Sequence, residues 1–332
     1  MENNQIIKTI ISLDVGKYDT KATGKKLIEG SDEEQKLKKV SFRTKEHNLK
    51  DGFIDVEGNS YKVEFNGEEY IIGEQGENKS YDTSKTNLLH KLAAYTAITE
   101  YIEENTSNNK IYIVLACPLS VLKYQDTKEE YKNFIKGEGE VKIKVNGKNY
   151  SFTIEDITIK AEGSGIVFLE KEKFRDSNVA VIDLGGLNMG FSLYRNGVCK
   201  NDDRFIEECG ANTLTELVRE ELTKYKNGNL VSYDQAEQAL KKGFLPKAGK
   251  PDAESTKAID FAKEKYFNKV MDYVKAHGFK IDELDKVIFV GGTSQNISSV
   301  INTELNHSYI PEDSQWCTCD GCYKIALKKY GK

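Results

Sequence analysis

No run of roughly 18 consecutive apolar residues occurs in this chain, which excludes a helix that crosses a membrane. The opening residues Met1-Glu2-Asn3-Asn4-Gln5 lack the basic and apolar regions of a secretory signal, so a cytoplasmic location is expected. An excess of positive charge is missing as well. Lys and Arg number 48 against 53 Asp and Glu, for a formal charge of −5, and the lysines are interspersed with acids. Direct binding of nucleic acid needs clustered cations to neutralise phosphates and is not expected. The four histidines show no ligand spacing. No Gly-x-x-x-x-Gly-Lys-Ser/Thr segment is present, which argues against a P-loop enzyme. Only four prolines occur and no low-complexity linker divides the chain. At 332 residues it exceeds the usual size of one core, so two closely packed domains are expected.

What is present alternates between strand and helix. Apolar, β-rich runs at Ile10–Val15, Ile111–Ala116, Val179–Leu184, Phe191–Tyr194 and Val287–Val290 read as buried strands. Leu88, Leu92, Tyr95 and Ile102 share one helical face, and Leu214, Leu217, Val218 and Tyr225 share another. A third helix is expected from about Glu254 to Ala276, ending at Gly278. Tyr61–Ile72 and Val141–Phe152 alternate like exposed hairpins, each pivoting on Asn-Gly, the pair preferred in a type I′ turn. The fold class is therefore α/β with both parallel and antiparallel strands.

Six cysteines in a cytoplasmic chain read as thiols or metal ligands rather than disulfides. Cys317, Cys319 and Cys322 cluster at a spacing that suits zinc or an iron–sulfur cluster, although no fourth ligand lies close by in the sequence.

The chemistry sits in a repeated pattern. Ile10-Ile-Ser-Leu-Asp-Val-Gly16 and Val179-Ala-Val-Ile-Asp-Leu-Gly-Gly186 are each an apolar strand followed by Asp, an apolar residue and Gly. A glycine there lets the backbone turn tightly and present amides to a phosphate. Asp14 and Asp183 stand where a strand end can reach magnesium, through water because that ion dehydrates reluctantly. A second strand follows each turn, at Asp19–Gly24 and Met189–Arg195, giving two hairpins able to face each other. Val287-Ile-Phe-Val-Gly-Gly-Thr-Ser294 adds a strand running into Gly-Gly, flat enough for an adenine or ribose. One such turn alone is ordinarily structural, whereas a phosphate clamp needs two walls.

These three segments resemble, in order and spacing, the phosphate-1, phosphate-2 and adenosine motifs of the actin-like superfamily. The likeness to ParM-type bacterial actins extends over nearly the whole chain. It includes the hairpin Tyr61–Ile72, the strand-end Ala116-Cys-Pro-Leu119, and the approach to a catalytic glutamate in Val141–Gly165. The resemblance implies an actin-like, ribonuclease H-like duplicated fold of two domains with a nucleotide cleft between them. Domain I would be 1–160, with a small subdomain at about 36–85 and completion by 310–332. Domain II would be 161–309.

It also implies roles. Asp14 and Asp183 would hold Mg2+ through water, while Gly16, Lys17, Tyr18 and Lys21 would surround the terminal phosphates. Glu162 would orient the attacking water, Asp183 would help polarise it, and Gly185, Gly186, Leu187 and Asn188 would touch phosphate. Lys17 and Asn188 depart from the small polar or hydroxyl residues of some relatives. Glu162 also reads as a surface acid in a loop. Gly210, Thr213 and Glu216 would lie by ribose and base, and Gly291, Gly292, Thr293 and Ser294 by the adenosine. The segment Gly210-Ala-Asn-Thr-Leu214 reads equally as a helix start capped by Asn212 or Thr213.

The function implied is a filament-forming ATPase (ATP or GTP, with Mg2+) that segregates plasmid DNA through a DNA-bound adaptor of ParR type. It would touch neither nucleic acid nor membrane directly. Head-to-tail contacts of this kind are heterologous and build open helices. A small-molecule kinase of the same fold and a scaffold concerned with cell shape are the alternatives.

Overall fold

The computed structural model describes residues 7–28 and 36–331. The chain divides into two compact units, Met1–Glu170 with Trp316–Lys332, and Lys171–Gln315.

The first unit begins with β1 (Ile7–Val15), β2 (Asp19–Ile28), β3 (Lys38–Arg43), β4 (Glu46–Asn48), β5 (Ser60–Phe65) and β6 (Glu68–Gly73). It continues through α1 (Leu88–Thr99), β7 (Asn109–Cys117), α2 (Leu119–Leu122), α3 (Gln125–Lys136), β8 (Glu140–Val145), β9 (Lys148–Ala161) and α4 (Gly165–Leu169). Among the described residues its strands form one nine-stranded sheet in the order β3-β2-β1-β7-β9-β8-β5-β6-β4. β1 is antiparallel to β2 and parallel to β7, which is parallel to β9. Alternation along β1 explains its two covered faces. Ile11 and Leu13 pack with Leu92 and Tyr95 of α1, whereas Ile10 joins Val114, Cys322 and Ala326 on the other side.

The second unit comprises α5 (Lys171–Phe174), β10 (Asn178–Leu184), β11 (Met189–Arg195), β12 (Arg204–Glu207), α6 (Ala211–Tyr225), α7 (Tyr233–Lys242), β13 (Pro246–Lys247) and β14 (Lys250–Pro251). Then come α8 (Ala253–Ala276), β15 (Lys286–Val290), α9 (Gly292–Asn296), α10 (Ser298–Glu304) and β16 (Ser308–Tyr309). Its sheet runs β12-β11-β10-β15-β16. The first three strands are antiparallel neighbours and the last three parallel ones. The same senses hold for β3-β2-β1-β7-β9, so one five-stranded arrangement occurs in each unit. α6 and α8 cover one face of the second sheet, burying Leu214, Val218, Tyr266 and Val270 against Ile182, Phe191 and Phe289. Finally α11 (Cys317–Tyr330) returns to the first unit.

All five expected strands and the three helices form. Both hairpins turn on left-handed Asn and Gly, with φ of 52° and 80° at Asn66-Gly67 and 50° and 80° at Asn146-Gly147. Three expectations need correction. The hairpins are not solvated on both sides: Val63, Tyr70, Val145 and Phe152 are buried in the core, and β5 pairs with β8. Leu88 is exposed at the start of α1, which stops at Thr99, so Ile102 is buried from outside the helix. Glu162 and α4 lie in the first unit rather than beyond the crossing. Gly165 of α4 and Gly321 of α11 meet backbone to backbone, where a Cβ on Gly165 would sit 1.9 Å from the Cys317 carbonyl oxygen.

Candidate functional site

In the first unit, β1 and β2 are joined by Gly16-Lys17-Tyr18-Asp19, a turn closed by the Gly16 amide donating to the Asp19 carbonyl at 3.0 Å. The fit is tight: a Cβ on Gly16 would lie 2.5 Å from that oxygen. Asp14 stands two residues before the turn, paired in register with Lys21. Burial is the chief reason its pKa is raised, and repulsion from Glu162 adds to it, only partly offset by the Lys85 and Lys21 ammonium groups.

Glu162 reaches the same place from the end of β9. The parallel β7–β9 pairing delivers it there, and its amide donates to the Cys117 carbonyl at 3.0 Å. The following turn is locked by the Thr318 hydroxyl, which accepts from the Gly163 amide, and by Ser164, whose hydroxyl donates to the Ala161 carbonyl. The Glu162 side chain is 26% exposed, so a water can reach it.

A residue that the sequence did not single out completes this cluster. Lys85, in the loop before α1, is 2% exposed and donates from Nζ to Glu162 Oε1 at 2.5 Å. Burial alone pulls an ammonium pKa down, but the Glu162 and Asp14 carboxylates outweigh it and the net displacement is upward. Nothing in the local sequence distinguishes Lys85 from a solvated lysine, because the pairing depends on residues far along the chain. The same loop receives Lys17, whose Nζ donates to the Tyr81 carbonyl at 3.3 Å. Tyr18 lies under the Arg43 guanidinium, 3.4 Å from ring centroid to Cζ.

In the second unit the corresponding turn is Gly185-Gly186-Leu187-Asn188 between β10 and β11. Gly185 donates to the Asn188 carbonyl at 3.0 Å, and Asp183 is paired with Gly190 where Asp14 has Lys21. Two further segments converge on this turn. The first amides of α6, Ala211 and Asn212, donate to the carbonyls of Gly185 and Gly186 at 2.9 and 3.0 Å. Gly291, after β15, has φ +87°, and a Cβ there would sit 2.4 Å from the Leu184 carbonyl and 2.7 Å from Asp183 Oδ1. Only glycine fits both the dihedral and the space. The Thr293 hydroxyl donates to the Gly185 carbonyl at 3.2 Å, tying α9 to the turn.

The structure thus gathers Asp14, Lys21 and Glu162 in one unit, and Asp183, Gly185, Gly186, Gly210, Gly291 and Thr293 in the other. Leu187 and Asn188 belong to the second turn itself, and Gly292 opens α9, exposed. Some expected contacts look inward instead. Ser294 is fully buried and its hydroxyl donates to the Val290 carbonyl at 2.6 Å. Glu216 pairs with Arg219 at 2.7 Å. Neither Asn212 nor Thr213 caps α6: Gly210 occupies that position, and Asn212 Oδ1 is buried with no hydrogen-bond partner among the described residues.

Asp14 provides the donor expected for magnesium. A half-buried carboxylate beside a second acid gains from a dication, and magnesium takes one or two carboxylates together with nucleotide phosphates rather than an all-protein cage. Among the described residues no group of three or more His, Cys, Asp or Glu side chains is placed to hold an ion. Cys317, Cys319 and Cys322 are instead buried on α11, where Cys319 Sγ donates to the Lys21 carbonyl at 3.4 Å.

Residues 12–165 match a family described as the actin like proteins N terminal domain. None of the curated proteins searched matches the chain. The Alp12 filament structure is 50% identical, with a TM-score of 0.69 over 97% of this chain and 99% of that one. A 15-stranded ParM filament from Clostridium botulinum superposes with a TM-score of 0.73 at 16% identity, over 97% of this chain and 99% of that one. The ADP complex of Ta0583, an archaeal actin homolog, gives 0.70 at 16% identity, over 96% and 99%. At 16% identity the last two show the fold alone.

Proposed function

Since the chain belongs to the actin-like protein family, we propose that it is a nucleotide-dependent, filament-forming ATPase that moves plasmid DNA. The observation that carries this reading is its 50% identity, over nearly its full length, to a protein that forms filaments. In this reading, which follows the resemblance to ParM-type actins, Gly16, Lys17, Tyr18 and Lys21 contact the terminal phosphates of the nucleotide, and Gly185 to Asn188 contact phosphate as well. The segments at Gly210 to Glu216 and Gly291 to Ser294 take the ribose and base.

Hydrolysis needs positioning and charge neutralisation more than covalent chemistry. Glu162 accepts a hydrogen bond from water and aligns it with the γ-phosphorus. The water oxygen bonds to that phosphorus while the bond to the β–γ bridging oxygen breaks, its electrons leaving on the nucleoside diphosphate. The water proton passes through Glu162 to the released phosphate. Asp14 and Asp183 would hold Mg2+ through water, and the ion would supply charge neutralisation at the phosphates.

The nucleotide is ATP or GTP, the partner in assembly is a second copy of the chain, and the DNA is reached through a ParR-type adaptor in the cytoplasm. ParM-type actins, which the sequence resembles, supply that last step of the reading. Light scattering and electron microscopy of the purified chain with Mg-ATP, with Mg-GTP and without nucleotide test it. Filaments that appear only with nucleotide are expected. Absence of filaments under every condition, with nucleoside diphosphate formed only on adding a sugar or acid and no free phosphate released, overturns it in favour of a kinase.

A further inference from the structure

Lys85 is a buried charge that the hydrolytic scheme leaves without a task. Its backbone lies in the left-handed region, at φ +58°, which a lysine rarely adopts. The surrounding loop holds it there: Asp82 accepts from the Ser84 amide and hydroxyl, Ser84 Oγ accepts from the Thr86 amide at 3.1 Å, and Asn87 donates to Ser80 at 2.9 Å. The ammonium is aimed inward, at Glu162 Oε1. Nearby His90 is fully buried and adds no competing cation, since burial first, and the Lys85 charge next, press it down to about 3.

We propose that Lys85 is a positioning residue for hydrolysis, holding the Glu162 carboxylate by one oxygen so that the other is directed at the attacking water. This rests on the reading of Glu162 as the water-orienting acid. The geometry divides the labour between the two groups. Lys85 is closed off from solvent and bonds Oε1, while the carboxylate side chain stays 26% exposed, leaving Oε2 for a water. A carboxylate with a rotatable side chain would otherwise sample several orientations beside the like charge of Asp14, and only some of them point a lone pair at the nucleophile. A fixed ammonium selects one. The strained backbone supports a functional rather than a merely space-filling role, because such strain clusters where geometry is imposed.

The test compares Lys85→Met, Lys85→Arg, Glu162→Gln and the Lys85→Met/Glu162→Gln double variant in the full chain. Nucleotide Kd and kcat are measured separately, with thermal melts as a control. Lys85→Met is expected to lower kcat by roughly 100-fold, within the range for a general base, with the ATP Kd changed less than about threefold. Lys85→Arg should restore about a tenth of the wild-type rate. The double variant should be no slower than Glu162→Gln, because both changes remove one function. Additive losses, or a Kd that worsens in step with kcat, overturn the proposal in favour of a structural role. If Lys85→Met fails to fold, Lys85→Arg decides: a nucleotide Kd that worsens in step with its kcat overturns the proposal. The underlying reading fails separately, through a Glu162→Gln chain that hydrolyses normally.

Discussion

The turn at Gly16 and the turn at Gly185 are closed by the same hydrogen bond at the same length, yet they are surrounded by different kinds of chemistry. Around the first stand side-chain charges: Asp14, Glu162, Lys85 and Lys21. Around the second stand backbone groups, with carbonyls tied by the α6 amides and by Thr293, and Gly291 filling the last space. The five-stranded arrangement and its hairpin recur in both units, with ionisable side chains gathered around the first turn and a packed backbone cradle around the second.

The largest effect is expected from disturbing the cradle. Gly291→Ala places a Cβ against the Leu184 carbonyl in a left-handed conformation, which should cost roughly 2–4 kcal/mol and abolish nucleotide binding. Thermal melts and nucleotide titration check it; retained affinity would mean that this turn is no part of the site.

Next comes the charged half. Asp14→Asn should weaken Mg-nucleotide affinity at least about tenfold, near 1.4 kcal/mol. The same change should stabilise the nucleotide-free protein at neutral pH. The raised pKa of Asp14 means that folding favours its neutral form, so its contribution is fully present below the ordinary carboxylate pKa and lost as pH rises through the higher folded value. The stability gap between variant and wild type should therefore be widest at pH 7 and close as the solution is acidified. A variant less stable at neutral pH would contradict the account of Asp14.

The smallest effect sharpens the comparison of the turns themselves. Gly16→Ala meets a backbone oxygen at 2.5 Å, whereas Gly185→Ala meets one at 3.2 Å. The first should cost up to about 1 kcal/mol more than the second in denaturant melts. Equal costs would show that the first turn relaxes freely.

The hairpins, the paired Asp positions and the glycine-rich strand end were legible in the sequence because each is local: a period of two, an Asn-Gly pair, an apolar run ended by Asp-x-Gly. The second-unit cradle was legible for the same reason. The charged half was only partly so. Glu162 was found by resemblance, but its unit depended on α4 packing against α11 through Gly165 and Gly321, a contact between distant parts of the chain. Lys85 was invisible, since one lysine among 48 basic residues carries no local mark of burial. The inward-turned Ser294 and the uncapped start of α6 escaped because hydroxyl and amide side chains choose between ligand and backbone only once the fold has formed.

Simultaneous recording of light scattering and phosphate release from Glu162→Ala with Mg-ATP tests the central assignment most directly. The chain should assemble as the wild type does and release phosphate roughly 100-fold more slowly or worse. Phosphate release at the wild-type rate from assembled Glu162→Ala would contradict it.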